Sequence, residues 1–347
     1  IGTCLVGSEM CIRDSTLADK RVSKPTERSI TIKAKVTSID VAKMLGVSQS
    51  TVSRAFSPTA SISEKKRKMV MDAAAKLGYT PNAIARSLIS NRSGLVAIAL
   101  DSESNPMYDL QSRALAMEIQ KRGGQVVLCP IDKDDLDLAI SRAIEYQVDG
   151  LIIATSRLTS RAFAQCEKFG VHLSLINRYT NGINANCAGV DNRQAGQEAA
   201  EYLVKKGYKQ LAYVSGDSGS MTSEERWLGF SSKLKELGVP TPVFIQAKYC
   251  FDAGMEAATE IQSHAVKPEA IFCANDIIAL GLMDGLRKAG ASIPEDYAVM
   301  GVYNIPMSGW PAYDLTTVAQ PVDKIVSRAV EDLMDRINNN TDASGDY

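Results

Sequence analysis

The feature that most narrows the fold is a rhythm that begins near Leu95 and runs almost to the end of the chain: short apolar runs alternate with amphipathic helical stretches. The runs Leu95–Leu100, Gln125–Cys129, Gly150–Ala154 and Val171–Ile176 are separated by helical spacing at 106–122, 134–147 and 159–169. A second series places Gln210–Ser215, Val243–Gln246, Ala270–Ala274 and Tyr297–Val302 among helical stretches at 192–206, 222–237, 253–264, 277–289 and 322–338. A strand that is apolar at nearly every position must be covered on both faces, and helices connecting parallel strands supply that cover. The expectation is a two-lobed α/β domain of doubly wound parallel sheets. A cleft between the lobes, at the carboxyl ends of the strands, is the natural ligand site.

Upstream of Leu95 the pattern is that of a small all-α domain. Thr37 or Ser38 can cap a first helix, Ile39–Leu45, whose Ile39, Ala42 and Leu45 share a face. Gly46-Val47 makes a turn, and Ser48 caps a second helix running to Phe56 with Val52, Ala55 and Phe56 inward. A third helix starts at Ser63 and ends at Leu77-Gly78, with Val70, Ala74 and Leu77 as its apolar stripe. The second helix turns Gln49, Ser50, Ser53 and Arg54 outward. Gln suits adenine, Arg suits guanine, and Ser suits phosphate or base. A small turn between two helices fits a helix-turn-helix but also fits any close helix pair.

Charge separates the two regions. The net charge is −1, yet residues 16–92 hold 15 Lys/Arg against 5 Asp/Glu while residues 93–347 hold 23 against 33. A basic first quarter on an acidic body reads as a nucleic-acid module attached to something that is not one, the alternative being a solvated charged face. The expected organisation is a leader at 1–35, adapter-derived around Ser8–Ser15 and otherwise disordered; a helix-turn-helix domain at 36–80; a hinge helix and linker at 81–93; a two-lobed sensor at 94–338; and a disordered, truncated tail at 339–347.

Other classes find little support. The seven cysteines are scattered without a Cys-x-x-Cys pair, which suits buried apolar filler better than disulfides or zinc. No apolar run reaches the roughly 18–20 residues of a membrane helix, and no basic start with a long apolar segment marks export, so the cytoplasm is expected. Walker loops, dinucleotide fingerprints and metal-ligand clusters are absent from the sequence, so no cofactor is expected. Gly216-Asp217-Ser218-Gly219 is similar to the nucleophile motif of trypsin-like proteases, but it ends a strand in an α/β pattern with only His172 and His264 in the chain. A loop at the cleft mouth suffices to explain it.

Val36-Thr37-Ser38-Ile39-Asp40-Val41-Ala42-Lys43-Met44-Leu45-Gly46-Val47-Ser48-Gln49-Ser50-Thr51-Val52-Ser53-Arg54-Ala55-Phe56 closely resembles the N-terminus of the LacI/GalR family of bacterial repressors. So does Leu77-Gly78-Tyr79-Thr80-Pro81-Asn82-Ala83-Ile84-Ala85-Arg86-Ser87-Leu88, and similar stretches continue through Asn105-Pro106, Asn177-Arg178, Val190-Asp191-Asn192, Glu225-Arg226-Trp227, Ala274-Asn275-Asp276 and Leu315-Thr316-Thr317. The resemblance covers about residues 36–338. It implies a repressor that binds a near-palindromic double-stranded operator as a homodimer and answers to a small-molecule effector, a sugar or related metabolite. By it, Gln49, Ser50 and Arg54 face bases, and Thr37, Ser48, Thr51 and Ser53 hold phosphates. Tyr79, Asn82, Ala85 and Arg86 make hinge-side DNA contacts, with Leu88 as a minor-groove wedge. Arg226, Asn177, Arg178 and Asn275 become the polar effector candidates; Met107, Tyr108 and Tyr249 become the apolar or stacking ones. Plain structural roles compete, such as Met107 in the core or Arg178 paired with a carboxylate.

Two departures qualify the resemblance. Gly301-Val302-Tyr303-Asn304 stands where the family has Gly-Phe-Asp-Asp, which puts Tyr303 at an effector-binding aspartate, and Asp101-Ser102 stands for Pro-Asp. Losing those acidic acceptors weakens the case for a typical sugar hydroxyl network and makes a less hydroxylated or anionic ligand, with Arg178 and Arg226 as counter-charges, plausible. The competing class is a solute-binding protein of a transport system. It shares the two lobes but has no use for residues 36–88.

Overall fold

The computed structural model describes residues 36–57, 60–81, 87, 92–101, 105–131, 135–155, 160–177 and 185–339. The expected leader, the tail from residue 340, and Ser102 lie outside them, as do Asn82, Ala85, Arg86, Leu88 and Arg178. The chain divides between residues 82 and 83 into two compact units.

The first unit packs helices α1 (Ser38–Leu45), α2 (Gln49–Ala55) and α3 (Glu64–Leu77) around Val41, Ala42, Val52, Ala55, Val70, Ala73 and Ala74. The Asp40 carboxylate accepts from both the N–H and the hydroxyl of Thr37, fixing where α1 begins. Gly46 takes the left-handed conformation at φ 63°, which lets α1 stop and the chain turn within two residues. The inward face of α1 differs from the expected Ile39, Ala42 and Leu45. Val41 and Ala42 are buried with Leu45 beside them, and Ile39 is 48% exposed. At about 100° per residue, Ile39 lies roughly 115° round the axis from the mean direction of those three.

The second unit contains two parallel five-stranded sheets. In the first, β1 (Leu95–Asp101), β2 (Gln125–Ile131), β3 (Gly150–Ala154), β4 (His172–Ile176) and β5 (Ala185–Ala188) lie in the order β2-β1-β3-β4-β5. Helices α4 (Pro106–Lys121), α5 (Leu136–Glu145) and α6 (Ser160–Lys168) connect the first four strands. Along β1, Val96, Ile98 and Leu100 join one core layer while Ala97 and Ala99 join the other, the two-sided burial its unbroken apolar run requires.

The second sheet repeats the plan with β6 (Leu211–Val214), β7 (Val243–Ile245), β8 (Ala270–Cys273), β9 (Ala298–Tyr303) and β10 (Thr316–Ala319), ordered β10-β9-β8-β6-β7. Helices α7 (Asn192–Lys205), α8 (Met221–Glu236), α9 (Phe251–Ser263) and α10 (Asp276–Lys288) flank it. Strand β5 reads Ala-Asn-Cys-Ala, too short and polar to stand out in sequence, and β10 begins at a threonine pair.

The last helix, α11 (Val322–Asn339), does not extend the second lobe as its place in the second series implied. Ile325, Val326, Ala329, Val330, Leu333 and Ile337 pack into the first lobe with Val96, Ile98, Ile152 and Ile176. The chain therefore crosses between lobes after β5 and crosses back after β10. Gly150 sits beneath Leu333 and Ile337, where a Cβ would come within 2.8 Å of the Ile337 side chain.

Cys129, Cys166 and Cys273 are buried, and among the described residues no disulfide forms. Burial pushes the Cys166 thiol up to about 12, so it stays protonated and inert at neutral pH.

Candidate functional site

Two places concentrate polar side chains that the fold does not consume. The first is the amino-terminal end of α2. Ser48 accepts from the Thr51 N–H at 3.2 Å, and its hydroxyl lies 2.8 Å from that of Ser50 and 2.9 Å from that of Thr51. Gln49 reaches back to α1, donating from Nε2 to Ser38 Oγ at 3.0 Å. Thr37, Ser48, Gln49, Ser50, Ser53 and Arg54 are exposed, whereas Val52 and Ala55 on the opposite side are buried. The helix thus offers a polar surface on a rigid apolar base. Tyr79 is elsewhere engaged: its ring meets Phe56 edge-on at 5.6 Å.

Sequence reasoning passed over Arg67. From α3 its guanidinium donates to the carbonyls of Ala55 at 2.8 Å, Ser57 at 2.9 Å and Ala60 at 3.2 Å, pinning the loop that follows α2. Replacing Arg67 with alanine is expected to destabilise the first unit by about 1–3 kcal/mol, the worth of charge-assisted bonds to half-buried carbonyls. Faster amide exchange across α1–α3, with the second unit unchanged, is the measurement that checks it.

The second place is a cleft at the carboxyl ends of β1, β3, β4 and β9. In the first sheet the strand order reverses at β1 and the cleft opens beside it, between β1 and β3; the second sheet contributes the end of β9. Within the cleft about 40 Å³ can hold the centre of a water molecule. Since one water needs roughly 10–15 Å³ by that measure, the cleft is narrow and has room for a few waters or a small ligand.

Asn105, Met107, Tyr108, Gln111, Thr155 and Asn177 line it from the first lobe; Ser220, Thr222, Tyr249 and Tyr303 line it from the second. Five of the eight sequence-derived effector candidates, Met107, Tyr108, Asn177, Tyr249 and Tyr303, therefore converge. Arg226 and Asn275 stand behind the lining, both essentially buried. Met107 joins the apolar cluster of the second lobe, so the first turn of α4 is stapled across the gap.

The polar floor is ordered. Asp101 accepts from Thr155 Oγ1 at 2.6 Å and from the Tyr108 hydroxyl at 3.2 Å. Burial, then the Asp101 charge, raises the Tyr108 pKa well above the usual phenol range. Tyr249 lies flat against Gly216, where a Cβ would come within 2.2 Å of the ring, and its hydroxyl sits 3.1 Å from Ser220 Oγ. Arg226 donates from Nε to Asn192 Oδ1 at 3.0 Å and from Nη1 to the Ala274 carbonyl, and its guanidinium carbon lies 4.7 Å from the centre of the Tyr303 ring. Asn275 Oδ1 caps α10 by accepting from the Ile278 N–H, while its Nδ2 is buried without a partner.

The residue that sequence reasoning missed outright is Asp276. It is fully buried, accepts from Thr317 Oγ1 at 2.6 Å and from the Ile305 N–H at 2.9 Å, and so ties β10 and the turn after β9 to the start of α10. Burial outweighs those hydrogen bonds and raises its pKa to about 6. A carboxylate two residues after the apolar run Ala270–Ala274 was the available signal.

Three non-glycine residues near the cleft have positive φ: Asn177 at 58°, Asn304 at 59° and Tyr303 at 118°. Asparagine tolerates the left-handed region; an aromatic residue at 118° is strained. Asn177 also accepts from Gln320 Nε2 at 2.6 Å and packs its Cα against Gly189, so it touches both crossings between the lobes. Gln111 is 1% exposed and its Oε1 has no partner.

The Gly216-Asp217-Ser218-Gly219 loop lines a neighbouring cavity with Trp227, Phe244 and Gln246 rather than the cleft itself, where Ser220 and Thr222 take its place. Among the described residues no cluster of three or more His, Cys, Asp or Glu could hold a metal, and no helix is long and apolar enough to cross a membrane.

Comparison with known proteins connects these two places. Residues 38–82 match the bacterial regulatory proteins of the lacI family, and residues 200–346 match a periplasmic binding protein-like domain. The chain is 30% identical over 298 residues to the HTH-type transcriptional regulator DegA of Bacillus subtilis, covering 84% of this chain and 88% of that one. It is 27% identical over 307 residues to the ribose operon repressor of Escherichia coli, covering 87% and 93%. It is 30% identical over 304 residues to the transcriptional repressor PurR of Vibrio vulnificus, covering 86% and 91%. The fold matches that of a lac repressor dimer bound to operator and the anti-inducer ONPF, with a TM-score of 0.79 at 24% identity, over 89% of this chain and 94% of that one.

Proposed function

Because the chain belongs to the lacI family of bacterial regulatory proteins and is a DNA-binding transcriptional regulator governed by an effector, we propose how its two sites divide that work. Helix α2 enters the major groove of an operator. Gln49, Ser50 and Arg54 meet base edges there, and Thr37, Ser48, Thr51 and Ser53 hold the phosphates that set its register. Tyr79, Asn82, Ala85, Arg86 and Leu88 extend the contact beyond the three-helix unit. Two copies of the chain occupy a near-palindromic operator and repress the gene beside it. The interlobe cleft receives a small metabolite.

The observation that carries this reading is the division of α2 into a buried side, Val52 and Ala55, and a wholly polar exposed side ending in Arg54. A polar exposed face is common to surface helices; this one carries Gln49, Ser50 and Arg54, side chains that can pair with base edges. Gln49 is already held by Ser38, so reading a base requires only that one exposed hydrogen bond be exchanged for another.

Selecting bound sequences from a randomised duplex pool with the full chain tests the reading, and metabolites are then screened for those that change affinity for the selected operator. Arg54→Ala is expected to relax base preference at one position of each half-site, at a cost of about 1–3 kcal/mol there. A uniform loss across all sequences would make Arg54 a phosphate contact instead.

A further inference from the structure

The second lobe carries a cation that the cleft does not reach. Arg226 is 1% exposed, and among the described residues no carboxylate forms an ion pair with it. Its hydrogen bonds go to neutral groups, the oxygens of Asn192 and Ala274 and the Tyr303 side chain. Asp276 is near enough to feel its charge but spends its own oxygens on Thr317 and Ile305. A buried guanidinium compensated this sparingly would draw an anion if one could approach.

What stands in the way is one ring. Tyr303 lines the cleft where Arg226 does not, and it lies against the guanidinium at 4.7 Å. The ring is held there under strain, at φ 118°, between the pairing of Tyr303 with Ala319 and the turn that Asp276 anchors at Ile305. Backbone strain of this kind persists where the surroundings over-determine it, and it clusters at binding sites. On the opposite wall the Gln111 amide oxygen is buried without a partner.

We propose that Tyr303 sets the charge selectivity of the cleft. Its ring seals off Arg226, so the second lobe offers a ligand a tyrosine face instead of a cation. The cleft then takes a small uncharged molecule, with an N–H or O–H donor for Gln111, in preference to its anionic counterpart. This rests on the reading of the cleft as the effector site.

Benzamide and benzoate share a shape and differ in charge, and isothermal titration of the full chain with each gives the ratio of their affinities. Glycine accepts φ 118°, so Tyr303→Gly removes the ring without threatening the turn. In that variant the ratio is expected to move toward benzoate by about tenfold or more, the scale of one charge-assisted contact. Tyr303→Phe keeps the ring and is expected to keep the wild-type ratio. An unchanged ratio in Tyr303→Gly, no benzoate binding there, or a wild-type chain that already prefers benzoate would each overturn the assignment. Failure of the effector-site reading looks different: metabolites that raise the melting temperature would leave operator affinity untouched, whatever benzoate does.

Discussion

Gly229→Ala is expected to cost about 3 kcal/mol or more of stability and to weaken the cleft with it, although glycine to alanine inside a helix ordinarily helps. Helices α7 and α8 touch backbone to backbone. A Cβ at Gly229 would stand 1.9 Å from the Arg193 carbonyl oxygen, and one at Gly196 would stand 2.1 Å from that of Arg226. No rotamer relieves such a clash, because the obstacle is main chain on both sides, so the helices must separate. Separation pulls Arg226 from Asn192, whose hydrogen bond spans the same pair of helices. Urea unfolding of the full chain reads the loss, with Gly309→Ala as the control, since a Cβ there meets nothing within 4 Å. If the two variants unfold alike, the close contact is not what the helix pair depends on.

Asp276→Ala is expected to be the other severe change, losing about 3–5 kcal/mol at neutral pH. It strands the Ile305 N–H and the Thr317 hydroxyl and leaves Arg226 without its nearest buried negative charge. The carboxyl also leaves a signature in pH. Its pKa rises from 3.8 to about 6 on folding, so between those values the folded chain holds a proton that the unfolded chain has released. The resulting contribution is complete below about pH 4 and is lost as pH rises through about 6, a fall on the order of 3 kcal/mol. Asp276→Asn keeps the shape and is expected to flatten that fall. Unfolding free energies of both proteins measured from pH 4 to 7 decide the matter, and parallel curves would dismiss the buried carboxyl as their source.

Much of this protein was legible before any coordinates. The apolar runs became strands within a residue or two. Strands β1, β3, β4, β6, β8 and β9 are covered on both sides, and a buried parallel strand leaves an unbroken apolar word in sequence, while the edge strands β2 and β7 keep exposed positions. The caps at Ser48 and Ser63 and the stop at Gly78 were readable because capping is local chemistry. Strand β5 was not readable, since an edge strand with two half-buried positions carries no apolar run. The inward direction of α1 was misjudged at Ile39 because three small helices share one core, and the neighbours choose which side of α1 they cover.

The cleft divides along the same line. Met107, Tyr108, Asn177, Tyr249 and Tyr303 could be proposed from the family resemblance, yet nothing local says that Tyr303 covers Arg226 or that Gln111 is left with a bare oxygen. Nor could spacing reveal that α11 returns to the first lobe, or that Gly196 and Gly229 bring two helix backbones into contact. Periodicity, caps and turn residues report on interactions within a few positions of each other, and these settled the elements, their order and the character of the two units. Contacts such as Asn177 with Gln320, or Asp276 with Thr317, join residues far apart in the chain. They arise only when the sheets close and the lobes meet, and they decided which side chains the cleft presents and which it keeps behind its walls.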